Sequence, residues 1–417
     1  MDIKDFIKEN RENIIKDIAR VVSKEDAVDA LHETLSVATD LGLGVHNCED
    51  IVGYAYIGSD SDSYLATITH VDIVPPGDGW DSDPFTLTEK DGFIIGRGVM
   101  DDKGPGVLCL YALKYLNDYV DVKIPARALF GTDEEVGMTD VTYYLENNPA
   151  PIFLFTPDSS FPLVNGEKGI YQGKITATVP VDRIESISGG FAPNAIPSKA
   201  YAVVDGTSFE ADGIQAHAST PECGKNAIGV LLSDILDSGL AKGEEKDLLE
   251  KLILLDKAWD GEYLDIKCSD DKFDKLTCVG GVIGIEDGKI VRSIDIRFPT
   301  VITSEELTER LNRAFSPYAT VEMVMCKEPF YMDPEGKEVK ACTDAYDEVM
   351  GRHENPMCIG GGTYARKFPY AVSFGPETET EFPPFVGSIH GCNEGASIEE
   401  LMTALEIYIK AFINLEK

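Results

Sequence analysis

The sequence predicts an α/β fold: a mixed, largely parallel sheet flanked by helices and interrupted by an inserted α+β domain. Three observations predict it. Short apolar runs at residues 64–68 (YLATI), 128–130 (ALF) and 152–155 (IFLF) have the length and composition of strands buried on both faces. Between the first two, Val107, Leu108, Tyr111, Tyr115 and Leu116 recur at helical spacing, and strands separated by helices imply crossovers and parallel pairing. From Tyr171 onward the texture turns β-rich, with strands at 174–179 (KITATV), 201–204 (YAVV) and 289–298 (KIVRSIDIRF).

Taken in order, the chain opens on an amphipathic helix whose apolar face carries Ile3, Ile7, Ile14, Ile18 and Val21. The helix between the first strands starts at Gly104-Pro105-Gly106. Helices at 232–240, 244–255 and 304–315 accompany the β-rich middle, and the α/β texture resumes at Pro334 and ends in a helix over 397–415. The expected organisation is therefore a discontinuous catalytic domain, 1–170 and 334–417, flanking an inserted domain at 171–333. In such sheets function collects at the loops beyond the strand C-termini. THVD, TDEE and TPDSS all fall there.

Charge narrows the partners. Asp and Glu number 73 against 37 Lys and Arg, a formal charge of −36 over 417 residues. That field repels phosphate backbones and anionic lipid, so neither nucleic acid nor a membrane surface is an expected partner, whereas divalent cations are favoured. The N-terminal stretch has no cationic segment followed by an apolar one, and no window reaches membrane-spanning length. Nine dispersed cysteines without a CxxC pair read as reduced thiols. A cytoplasmic location is expected.

Five motifs carry chemistry. In THVD, His70 and Asp72 stand two apart at a strand end and share a face, so imidazole and carboxylate can meet. A ligating His usually donates its other ring N–H to a carboxylate, although a structural hydrogen bond explains the pair taken alone. GRGVMDDKGP sets Asp101 and Asp102 between a glycine-rich turn and a helix start. Capping that helix is the expectation for Asp102. Asp101 is expected to bridge two cations, one oxygen to each. In GTDEEVG the neighbouring carboxylates Glu134 and Glu135 repel, so burying both requires cations or protons; the alternative is an acidic surface turn. One acid can then bind metal while the other handles protons. TPDSS offers Asp158 and SIHGCNE offers His390. Two His and three carboxylates at successive strand-end loops match the ligands zinc takes.

The order THVDIVPPGDGW, GRGVMDDKGP, GTDEEVG, TPDSS, HAST and SIHGCNE, from about Asp50 to the C-terminus, closely resembles the two-zinc superfamily of aminoacylases, succinyl-diaminopimelate desuccinylases, glutamate carboxypeptidases and PepV-type dipeptidases. The resemblance implies a zinc-peptidase-like fold with a lid domain. It implies that His70 and Asp158 hold one Zn2+, Glu135 and His390 the other, and Asp101 both; Mn2+ or Co2+ would accept the same ligands. Asp72 would orient His70, and the Asp101–Asp102 peptide would be cis. Glu134 would be the general base that generates a metal-bridging hydroxide for attack on the amide carbon. His217 in HASTPECGKNA would stabilise the oxyanion, and Asn194 in GGFAPNAIP would reach the same site. Arg297 in SIDIRFP would pair with the substrate carboxylate, an ion pair with Asp295 being the alternative. Gly360, Gly361 and Gly362 in IGGGTYAR would let backbone N–H groups approach that carboxylate, against a plain flexible turn.

TPDSSFPLVNGEKG, LDIKCSDDKFDKLTCVGGVI and IGGGTYARKFPYAVSFGPE resemble the PepV-like dipeptidase branch in particular. That branch implies a small peptide substrate with a free N-terminus. It also implies an enlarged lid that lets His217 act within its own chain, which favours a monomer over a dimer. Two features depart from the pattern: the stretch between Val22 and Asp26 lacks the Ile-Pro-Ser loop, and Cys392 stands beside His390. The rival expectations are an N-acyl-amino-acid deacylase or carboxypeptidase of the same superfamily, and a non-catalytic metal-binding homologue. The last would show lost ligands or a replaced Glu134, and neither is found.

Overall fold

The apolar runs of the first part assemble into one sheet in the computed structural model, which describes every residue except Asp60 and Glu379. Strands β1 (Gly44–Cys48), β2 (Val52–Ile57), β3 (Leu65–His70), β4 (Ala126–Gly131) and β5 (Phe153–Thr156) lie in the order β1-β2-β4-β3-β5. β3 pairs parallel with both β4 and β5, Ala371–Ser373 adds a further parallel strand beside β5, and β2 joins β4 antiparallel. Every residue of β3, β4 and β5 is buried, which is why these strands read as continuous apolar runs and not as alternating ones.

The register positions the loops. His70 lies opposite Gly131, and Thr67 lies opposite Phe155, so the same count brings residue 158 level with His70. The segments following β3, β4 and β5 therefore leave the sheet at one edge, carrying Asp72, Glu134 with Glu135, and Asp158.

Helix α1 (Ile3–Val22) buries Ile7, Ile14, Ile18 and Val21 as expected, and Asp2 caps it by accepting the Lys4 N–H at 2.9 Å. Helix α2 (Ala27–Asp40) follows, capped by Asp26. Helix α3 (Lys103–Tyr119) departs from expectation: it is buried on every side from Lys103 to Leu113, not along one stripe. The physical reason is close approach. A Cβ on Gly106 would stand 3.0 Å from Thr69 Oγ1 in β3, tighter than side chains ordinarily pack, so glycine lets the first turn lie close against the sheet. The C-terminal helix Ile398–Leu415 completes the layer; its Tyr408 and Phe412 rings stand 5.5 and 5.3 Å from Phe155. Burying side chains of this size contributes about 1.5–3 kcal/mol each.

The chain divides into two units, Met1–Asn165 with Met332–Met357 and Gly362–Lys417, and Gly166–Tyr331 with Cys358–Gly361. The strip Cys358–Gly361 thus goes with the second unit, whereas the sequence placed it within the segment 334–417. The second unit has an antiparallel sheet built on Gly169–Ala177, Lys289–Phe298 and Ala319–Lys327, with Ile184–Gly189, Lys199–Val204 and Thr207–Asp212 towards its other edge. Helices Ala227–Ser238, Gly243–Leu252 and Ser304–Phe315 pack their apolar faces into its core through Leu231, Leu248 and Leu307. The helix expected over 244–255 breaks at Ile253 into two. All nine cysteines are free thiols, and among the described residues no helix is long and apolar enough to cross a membrane.

Candidate metal centre

The first unit gathers every metal ligand the sequence pointed to. Asp101 places Oδ1 2.9 Å from His70 Nε2 and Oδ2 2.9 Å from His390 Nε2, so one carboxylate spans two imidazoles. His390 Nε2 also lies 3.0 Å from Glu135 Oε1. Donor atoms of His70, Asp101 and Glu135 fall within 4.8 Å of one another, as do those of His70, Asp102 and Asp158.

Asp72 acts on both sides of this cluster. Its Oδ1 lies 3.3 Å from His70 Nδ1, and the His70 Nδ1 also lies 3.1 Å from the Asp72 carbonyl, which leaves Nε2 pointing at Asp101. The same carboxylate accepts the Glu134 N–H at 3.2 Å and the Glu135 N–H at 3.0 Å. A single acid therefore orients a histidine on one strand end and two glutamates on the next.

Asp102 does not cap α3. It stands at the N-cap but makes no cap hydrogen bond, because its Oδ2 accepts the His70 N–H at 3.3 Å. Its Oδ1 is buried without a protein partner. The Asp101–Asp102 peptide is cis.

Supports that the sequence did not reveal lie behind the glutamates. Buried Asp140 accepts the N–H groups of Thr132 (2.7 Å) and Asp133 (3.0 Å) and the Tyr364 hydroxyl, which fixes the turn carrying Glu134. Gly131 is required there: a Cβ would meet Tyr364 Oη at 2.1 Å. The sequence carried no signal for it, because an acid in the first turn of a helix is ordinary and Thr139 and Thr142 beside it are polar.

Electrostatics describe a site short of positive charge. Burial, reinforced by Asp101 and Asp102, pushes the Asp158 carboxyl well above the usual range. Burial, with Glu135 and Asp101 outweighing His70, pushes Glu134 up to about 7. Burial and Asp101 likewise raise Glu377. Asp101 goes the other way: against the cost of its burial, hydrogen bonds from His390 and His70 hold it well below the carboxylate range. Asp101 and Glu135 raise the His390 imidazole to about 10. Positions that attract protons this strongly attract cations. The donor set, two imidazoles with hard carboxylate oxygens, fits zinc and its first-row neighbours.

The remaining predicted residues assemble within the second unit. Strand Ala216–His217 pairs with Ala195–Ile196, and the Asn194 carbonyl accepts the Ala218 N–H at 2.9 Å. His217 is exposed, and its Nδ1 accepts the Ser219 N–H at 3.2 Å, which leaves the proton of the neutral ring on Nε2. Partial desolvation and the Arg297 charge hold this imidazole below its usual range, so it remains a neutral donor. Arg297 is buried; its Nε meets Asp295 Oδ1 at 2.7 Å and its Nη1 donates to the Gly360 carbonyl at 3.0 Å. The ion pair with Asp295 is therefore present. A Cβ on Gly360 would stand 2.7 Å from Ser219 Cβ, so this glycine serves close packing beside His217.

An α/β sheet whose strand ends gather two histidines and a buried group of carboxylates defines a metal-dependent hydrolase. The pattern described as Peptidase family M20/M25/M40 matches residues 66–414, and the chain belongs to that family. It is 28 % identical to the Beta-Ala-Xaa dipeptidase of Lactobacillus delbrueckii subsp. lactis, over 100 % of this chain and 99 % of that one. Human carnosine dipeptidase 1 shares the fold with a TM-score of 0.63 at 14 % identity, covering 99 % of this chain and 98 % of that one. The aminoacylhistidine dipeptidase of Vibrio alginolyticus does so with a TM-score of 0.63 at 15 % identity, covering 95 % of each. The protein is thus a peptidase of a metal-dependent family.

Proposed function

We propose that this chain is a dipeptidase that removes one residue from the free N-terminus of its substrate with two divalent cations, zinc in the first instance. The observation that carries this is the Asp101 carboxylate, which faces His70 with one oxygen and His390 with the other, each at 2.9 Å. His70 and Asp158 would hold one cation, Glu135 and His390 the other, and Asp101 both. Bound there, the cations supply Lewis acidity and lower the pKa of water towards about 7.

The chain's own groups do the rest. Glu134 takes a proton from the attacking water on its carboxylate and returns it to the leaving amine. Asp72 keeps His70 in the tautomer and orientation its ligand role requires. His217 donates Nε2–H to the developing oxyanion, Asn194 reaches the same oxygen, and Arg297 with the Gly361 backbone receives the substrate carboxylate. The inserted domain is read as a lid carrying these groups within one chain, which makes the monomer the active form.

Metal analysis and substrate panels test the proposal together. Two zinc ions per chain and turnover of free dipeptides, with N-acetyl and N-succinyl amino acids left intact, are expected. Fast cleavage of the acylated compounds alone would replace the dipeptidase with a deacylase, a sibling activity that the same donor set could serve. For His217→Ala the expected result is a kcat about 10²–10³-fold lower, as for loss of an oxyanion donor, with metal content unchanged. Steady-state kinetics beside metal analysis checks it, and an unaltered kcat would remove His217 from the mechanism.

A further inference from the structure

We infer that Arg97 and Glu394 form a buried positioning pair that locks the Asp101 turn to the His390 loop and thereby sets the metal affinity of the centre. The inference rests on the metal assignment of Asp101 and His390 given above. Both side chains are 1 % exposed, and Arg97 Nη1 meets Glu394 Oε2 at 2.5 Å.

Each partner then reaches into a different ligand loop. Glu394 Oε2 accepts the Gly98 N–H at 3.2 Å, and Oε1 accepts the N–H groups of Met100 and of Asp101 itself, at 3.1 and 3.2 Å. The backbone that presents the Asp101 carboxylate is thus held from behind by residue 394. Arg97, four residues before Asp101, crosses the opposite way: its Nη2 donates to the carbonyls of His390 (3.3 Å), Gly391 (3.1 Å) and Pro76 (3.4 Å).

His390 needs such a hold. Its φ is +63°, a left-handed conformation that a non-glycine residue keeps only when its surroundings impose it. Arg97 binds the carbonyl of that very residue. Stability alone does not account for a charge pair at this depth, since replacing one by apolar side chains is often neutral or favourable. What the pair provides is reach: a guanidinium fork and a two-oxygen carboxylate fasten six backbone groups in three loops.

The test compares Glu394→Gln and Arg97→Lys with the wild type as full chains stripped of metal. Zinc affinity and stoichiometry are read by competition with a chromogenic chelator, well below each variant's own metal-free melting temperature. Glu394→Gln keeps an acceptor but loses the charge that holds Arg97, and zinc affinity is expected to fall about 10–100-fold, as for loss of an outer-shell partner. Arg97→Lys keeps the charge but lacks the fork to His390 and Gly391, so one zinc of the two is expected to weaken by a similar factor while the other is retained. If Glu394→Gln does not fold, Arg97→Lys decides alone. A folded variant that binds both zinc ions within twofold of the wild type, however much its melting temperature has dropped, would reduce the pair to ordinary structure and overturn the inference. A wild-type chain that takes up no zinc would overturn the metal assignment first and this inference with it.

Discussion

Replacing Glu134 with Gln is expected to lower kcat by about 10²–10⁴-fold, the range spanned by loss of a positioned proton-transfer group, while two metal ions stay bound. The separation follows from how the residue is held. Its backbone N–H is bonded to Asp72 Oδ1, and the turn around it is fixed by Asp140, so neither anchor involves the Glu134 carboxyl. The amide side chain therefore occupies the same place and cannot accept a proton. Glu135, one residue on, meets His390 through its own Oε1 and is untouched by the change. Steady-state kinetics and metal analysis on the same preparation give the result. Activity within tenfold of the wild type would exclude Glu134 as the base, and loss of metal would make it a ligand.

Much of this site was legible because each ligand sits in a local pattern with a physical meaning. THVD ends a strand buried on both faces, and GTDEEVG ends another. Parallel pairing of those strands brings their ends to one edge, so His70 and Glu135 could be placed together from the texture alone. Asp102 departs from the capping expectation because its position, not its partner, is visible in the sequence: it precedes a helix, but its carboxylate accepts the N–H of His70 at a strand end. Arg97 and Glu394 lie within two of the ligand motifs. Opposite charges in those two motifs were the only hint of their pairing, and nothing local connects residues so far apart in the chain. The burial of α3 on every side escaped for a related reason: periodicity reports one apolar face, whereas Gly106 signals a close approach only once the strand it touches is known.

Removal of the Asp101 carboxylate is expected to have the largest effect on metal binding, because its two oxygens each lie 2.9 Å from one of the two imidazoles. In Asp101→Ala, the affinity at both positions should fall by more than the 10–100-fold or so that an outer-shell loss brings, and activity should vanish with it. Asp158→Ala makes the contrast: among the described residues Asp158 shares a donor group with His70 and Asp102, so one metal is expected to survive. Stability separates the two a second time. In the wild type, metal at a hundred times its dissociation constant stabilises the fold by about 2.7 kcal/mol per site, and a chelator removes that increment. Asp101 is held ionised by its hydrogen bonds from His70 and His390, so Asp101→Ala loses those contacts and the metal-free variant should melt below the metal-free wild type. Added zinc should then leave its melting temperature unmoved. Thermal melts with and without zinc distinguish this from a purely structural role for Asp101, in which zinc would still raise the variant's melting temperature by the wild-type amount.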